Sequence, residues 1–148
     1  MEAFWTSTVA VLGTLLGSLT THFFQRRATR SEALRQERTT TYSAFAAAVE
    51  EYRRGQAERW YRLQEDPEGD AFLAARDEAH RLRTAARQAL YRVKLLTDEP
   101  AVVAAAEHAY ASTRDVSTAH DQDDRDARHA DAGLAIEAFV ARAARLLR

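Results

Sequence analysis

The chain has 148 residues, with 21 Lys+Arg against 22 Asp+Glu for a formal net charge of −1, and no cysteine. This balance provides no overall basic field for a polyanion, so direct nucleic-acid binding is not expected. The missing cysteine excludes disulfides, thiolate metal sites and cysteine nucleophiles.

Residues 3–24 carry no Asp, Glu, Lys or Arg. As a helix rising 1.5 Å per residue, this run spans roughly 33 Å, enough for a bilayer core of about 30 Å. It contains Thr6, Thr8, Thr14, Thr20, Thr21, Ser7 and Ser18, so a buried helix of a water-soluble core is the alternative. The start Met1-Glu2 has no basic region, and no cleaved signal peptide is expected. Arg26, Arg27 and Arg30 follow at once, and together with Arg35 and Arg38 they outweigh Glu32 and Glu37. Positive flanking charge stays on the cytoplasmic side and favours anionic headgroups. The expectation is a single-pass anchor over 1–25 in the inner membrane, with 26–148 as a cytoplasmic helical domain. Within the anchor, Ala10, Gly13, Gly17 and Thr20 form a seam of small residues that includes a G-x-x-x-G pair. In lipid, such a seam lets two backbones approach closely, so a homo-oligomer is expected.

After the anchor, periodicity of three and four predicts a helix over about 26–65 with the stripe Tyr42, Phe45, Val49, Tyr52, Gln56, Trp60 and Leu63, close to a heptad seam. Asp66-Pro67-Glu68-Gly69-Asp70 reads as a turn with Asp70 as N-cap. A second helix over 71–96 would bury Phe72, Ala75, Ala79, Leu82, Ala86, Leu90, Val93 and Leu96. Thr97-Asp98-Glu99-Pro100 supplies a cap and an early-turn proline for a third helix over 99–118. The polar stretch 117–131 reads as a connection, and a last helix over 128–147 presents Ala132, Ile136, Phe139, Val140, Ala143 and Leu147. No strand pattern competes. The expected fold is all-α: a transmembrane helix followed by an antiparallel bundle of three or four helices, coiled-coil-like in its long first member.

Chemistry-bearing residues are sparse. His120, His129 and the five aspartates between 121 and 131 could hold a divalent cation in principle, but Asp121/Arg125 and Asp124/Arg128 have the spacing of ordinary helical ion pairs. Arg53, Arg54, Arg59 and Arg62 surround Trp60 and Tyr61, interleaved with Glu50, Glu51, Glu58 and Glu65. That mixture reads as a solvated helix face. No phosphate-cradling glycine loop, nucleophile–histidine–acid set or paired metal motif occurs in the sequence. A non-enzymatic protein without catalytic residue, metal or cofactor is therefore expected. Tyr42, Phe45, Val49, Tyr52 and Trp60 are the expected bundle or partner interface.

Gly13-Thr14-Leu15-Leu16-Gly17, Gln25-Arg26-Arg27, Leu34-Arg35-Gln36-Glu37-Arg38, Tyr42-Ser43-Ala44-Phe45 and Ala89-Leu90-Tyr91-Arg92-Val93 occur in this order. In them the chain resembles small actinomycete KilB-like proteins over most of its length. The resemblance implies a membrane-associated protein with a role in plasmid spread between cells or a related envelope process, and it transfers no catalytic residue. The expected function is a self-associating, membrane-anchored scaffold that docks an unknown cytoplasmic protein partner. The alternative is an oligomer that perturbs or opens the membrane, for which the hydroxyls of Thr6, Ser7, Thr14, Ser18 and Thr21 would supply a narrow polar path.

Overall fold

The structure, a computed structural model, describes residues 29–148 with their side chains and, ahead of them, only the helical course of the backbone from Glu2. Four helices follow in order: α1 (Glu2–Glu65), α2 (Asp70–Leu96), α3 (Pro100–Asp115) and α4 (Gln122–Leu146), with a 3-10 turn at Val116–Thr118. No strand occurs among the described residues. Among the described residues the protein is all-helical, with four helices. The uncharged run 3–24, the seam residues Ala10, Gly13, Gly17 and Thr20, and Arg26 and Arg27 lie outside the described side chains. Among the described residues, no helix is long and apolar enough to cross a membrane.

The chain divides into two units, Met1–Glu37 and Arg38–Arg148. In the first, the described side chains 29–37, Arg30 among them, are all exposed. The second is the bundle. α1 stops where Pro67 forbids a continuing helix and restricts the residue before it. The Asp66 carboxylate then accepts from the backbone N–H of Glu68 (3.2 Å), and the Asp66 carbonyl from that of Gly69 (3.2 Å). Gly69, not Asp70, is the N-cap of α2. A Cβ at Gly69 would lie 2.6 Å from the Asp66 carboxylate, so the cap position suits the residue that has none. Pro100 opens α3 at its first turn, where a missing N–H costs nothing.

Pairing between helices fixes their directions. Phe45 and Tyr42 meet Phe139 edge-on, with ring centroids 4.8 and 6.0 Å apart, while Arg53 lower on α1 donates to the His129 carbonyl (3.1 Å), so α1 and α4 are antiparallel. Tyr52 faces Tyr110 at 5.9 Å, and Gln56 donates to the Arg114 carbonyl at 2.9 Å, so α1 and α3 run in the same direction. Lys94 of α2 pairs with Glu107 of α3 (2.7 Å). The result is an up-down-up-down bundle. Its core joins Tyr42, Phe45, Val49 and Tyr52 to Leu82, Ala86, Leu90 and Val93 of α2, Val102, Ala105, Ala106 and Ala109 of α3, and Ala135, Ile136, Phe139 and Ala143 of α4. Many of these are alanines, which let the helices approach closely. The large residues of α1 fill the centre, where each buried aromatic or branched side chain is worth about 1.5–3 kcal/mol.

Two boundaries differ from the sequence expectation. α3 gives way to the 3-10 turn at Val116, and α4 starts at Gln122, well before Arg128. The early start has a local cause: the Asp121 carboxylate accepts from the Asp124 N–H (2.8 Å), capping α4 within a stretch that carries no apolar signal.

Candidate functional site

One end of the bundle holds a cleft of about 320 Å³. Arg59 enters it from α1, His80 and Arg83 from α2, Arg114 from α3, and Ser117 and Thr118 from the 3-10 turn. Its floor is made by Tyr52, Gln56 and Ala79, all buried. No carboxylate lines it.

The turn that brings the two hydroxyls to the rim is firmly tied. Thr118 Oγ1 donates to the Asp115 carbonyl (2.8 Å). Arg128 of α4 donates through Nη1 to the same carbonyl (3.2 Å) and to Thr118 Oγ1 (3.1 Å). Trp60 Nε1 donates to the Ala119 carbonyl (3.0 Å). Gln56, 3% exposed, donates through Nε2 to the Arg114 carbonyl and to Ser117 Oγ, both at 2.9 Å. The sequence places a polar residue in the α1 stripe at this level because the end of α3 presents a carbonyl to it.

Charge in the cleft is positive and held in place by helices. Burial pushes the Tyr52 phenol up to about 12, helped by the neighbouring Tyr110, while Arg83, Arg114 and Arg59 pull it down. Three guanidinium groups therefore act on one hydroxyl, which keeps its proton at neutral pH. Arg83 is raised by the Tyr110 hydroxyl beside it; the pair falls short of hydrogen-bond geometry, and Tyr110 Oη makes no hydrogen bond among the described residues. Arg114 contacts Asp115 at 3.0 Å in an exposed pair. Among the described residues, neither Arg59 nor Arg83 has a carboxylate partner. Arginine stays protonated in proteins, so the cleft suits holding an anion better than moving a proton.

The structure redistributes the residues singled out in the sequence. Tyr42, Phe45, Val49, Tyr52 and Trp60 are all buried and meet helices of their own chain. The arginine group on α1 divides: Arg53 is gripped by Glu50 (2.6 Å), Arg62 lies between Glu58 and Glu65 (2.8 Å each), and Arg54 lines a separate mixed-charge surface with Glu51, Glu58, Glu78 and Arg81. Arg59 alone of the four faces the cleft. Arg83, Arg114 and Ser117 carried no signal, because each lies on the polar side of its own helix or in a loop.

In the acidic stretch, His120 Nδ1 lies 3.2 Å from Asp124 Oδ2, and Asp124 Oδ1 takes Arg128 Nε at 2.7 Å. Arg128 and the His120 backbone N–H hold the Asp124 carboxyl well below the usual range. The expected pair of Asp121 with Arg125 is replaced. Asp121 caps the helix, while Arg125 is 6% exposed, pairs with Asp126 at 2.7 Å and stacks on Tyr61. Among the described residues, no group of three or more His, Asp or Glu is placed to hold a metal ion.

No curated protein and no solved structure matches the chain. A family model described as KilB plasmid transfer protein matches residues 39–147, which takes in the four helices of the bundle and the cleft at its end. With that match over most of its length, the chain belongs to the KilB plasmid transfer protein family.

Proposed function

We propose that the protein serves plasmid transfer as a non-enzymatic helical adaptor, anchored in the inner membrane by residues 3–24 and offering its bundle to a cytoplasmic protein partner. The observation that carries this reading is the family match over residues 39–147, which supports a role in plasmid transfer. A rigid bundle with fixed cations at one end binds by position and charge, and arginine is a poor proton-transfer group near neutral pH. The run 3–24, with Arg26, Arg27 and Arg30 behind it, has the length and flank of an inside-facing anchor. The seam Ala10, Gly13, Gly17 and Thr20 would associate copies within the membrane.

The test is a deletion of residues 2–25 in cells that pass the plasmid to recipients. The truncated chain should leave the membrane fraction, and transfer frequency should fall by at least about tenfold, while the full chain resists a carbonate wash. Transfer at the original frequency without the anchor, or a full chain stripped by carbonate, would reject the reading.

A further inference from the structure

We infer that the cleft between α1, α2 and α3 is a binding site for a small soluble phosphorylated molecule. This goes beyond the adaptor reading by giving the cleft a ligand of its own, and it rests on the cleft alone rather than on the membrane anchor.

Three features point to that chemistry. Arg59, Arg83 and Arg114 belong to three different helices, so their guanidinium groups approach from different sides. A planar carboxylate is satisfied by one such fork, whereas a tetrahedral phosphate has oxygens for several. Ser117 adds at the rim a hydroxyl that accepts from Gln56 and keeps its own proton to donate, and the Tyr52 phenol below keeps its proton, which makes donors available to an oxyanion. The lining includes no carboxylate to oppose one.

Size and surroundings narrow the ligand further. At about 320 Å³ the cleft stands at the small end of sites for organic ligands, which run from about 300 to 1,000 Å³. It has room for a phosphate and a compact organic group. A long polyanion fits poorly, because the neighbouring surface carries Glu51, Glu58 and Glu78, and 97–131 holds nine acids against three arginines. Local positive charge inside a surface of mixed and negative sign selects a small anion over a polymer.

The full-length purified chain is titrated calorimetrically with inorganic pyrophosphate and with adenosine monophosphate, using sulfate as the control anion. Saturable one-to-one binding of either phosphate compound tighter than about 1 mM is expected, with sulfate weaker. Arg83→Gln and Arg114→Gln should each weaken it at least about tenfold. Arg142→Gln, on the exposed side of α4, should leave it unchanged. If either cleft variant loses its helical far-ultraviolet signal, Arg59→Gln gives the same reading from another helix. Binding that is absent, that ignores these substitutions, or that occurs only on phosphatidate vesicles would overturn the inference. A chain that binds pyrophosphate but does not support transfer separates this site from the adaptor reading.

Discussion

The guanidinium carbon of Arg125 lies 4.2 Å from the centroid of the Tyr61 ring. The Trp60 ring is also close, at 5.6 Å, and the Asp126 carboxylate pairs with Arg125 Nη2 at 2.7 Å. Arg125 is only 6% exposed. A charge removed from water to that degree is costly unless something replaces its solvation. Two aromatic rings and one carboxylate do part of this here, joining the end of α1 to the start of α4, while the buried Arg125 Nε makes no hydrogen bond among the described residues.

Arg125→Lys should therefore not behave as a conservative change. A lysine keeps the charge but loses the planar group that lies on the rings, and its stronger hydration raises the cost of burial. The expected loss is about 1–2 kcal/mol. Arg125→Met removes the charge while keeping an unbranched stem against the rings, and should cost less. Urea midpoints of the two variants decide the matter: a lysine variant as stable as the parent would show that stacking contributes nothing.

Asp121 offers a second test. Its carboxylate accepts from the Asp124 N–H at 2.8 Å and is the side chain that caps α4. Asp121→Ala should lower stability by about 0.5–2 kcal/mol, while Asp121→Asn should cost little, since both asparagine and aspartate cap well. Thermal melts by far-ultraviolet circular dichroism would show this. Equal melting temperatures for the alanine variant and the parent would mean that α4 does not depend on its cap.

The same residues explain what the sequence makes legible. The α1 stripe is plain because Tyr42, Phe45, Val49, Tyr52 and Trp60 are large and regularly spaced, and all five are buried. The two prolines mark the helix breaks for a stereochemical reason, since a missing N–H and a clashing ring cost a helix interior about 3 kcal/mol. The start of α4 is hidden because an arginine stands on its buried side: Arg125, Ala132, Ile136, Phe139 and Ala143 are all buried. Periodicity counts apolar residues, so a stripe that opens on a stacked guanidinium reads as a connection. Val140, 46% exposed, shows the face of α4 turned slightly from the expected one, with Ala135 inside instead. The cleft is invisible for another reason. Arg59, Arg83 and Arg114 share no local pattern, and only the registers of three helices bring them together.

Glycines on two helices should respond oppositely to alanine. A Cβ at Gly133 of α4 would meet nothing nearer than Arg53 Nη1 at 3.7 Å, an ordinary contact. Gly133→Ala should stabilise the bundle by about 0.5–1 kcal/mol, because glycine is the costlier residue inside a helix. At Gly55 of α1 the same Cβ would lie 2.5 Å from Leu82 Cδ1, a core side chain that is 7% exposed. Displacing that leucine offsets the propensity gain, and a cost of about 1 kcal/mol is expected overall. Denaturation midpoints that rise for both variants would show that α1 and α2 have slack at Gly55.

His129 gives the bundle a pH dependence near neutrality. Burial lowers its pKa from the ordinary 6.5, and Arg53 and Arg125 add to that effect, with Glu50 and Asp126 opposing it. Its Nδ1 is buried with no hydrogen bond among the described residues. The folded chain thus holds this imidazole neutral more firmly than the unfolded chain does. Above pH 6.5 both states carry it neutral, and its contribution to stability is fully present. As pH falls below that value, the unfolded chain takes up the proton first, and stability is lost progressively until the folded-state pKa is passed. Asp124, also lowered, contributes in a separate window, with its share retained until the pH falls below about 4. Urea midpoints should therefore drop between pH 7.5 and 5.5 in the parent, and His129→Gln should remove that part of the drop. A variant with the parent's slope over this range would place the titrating group elsewhere.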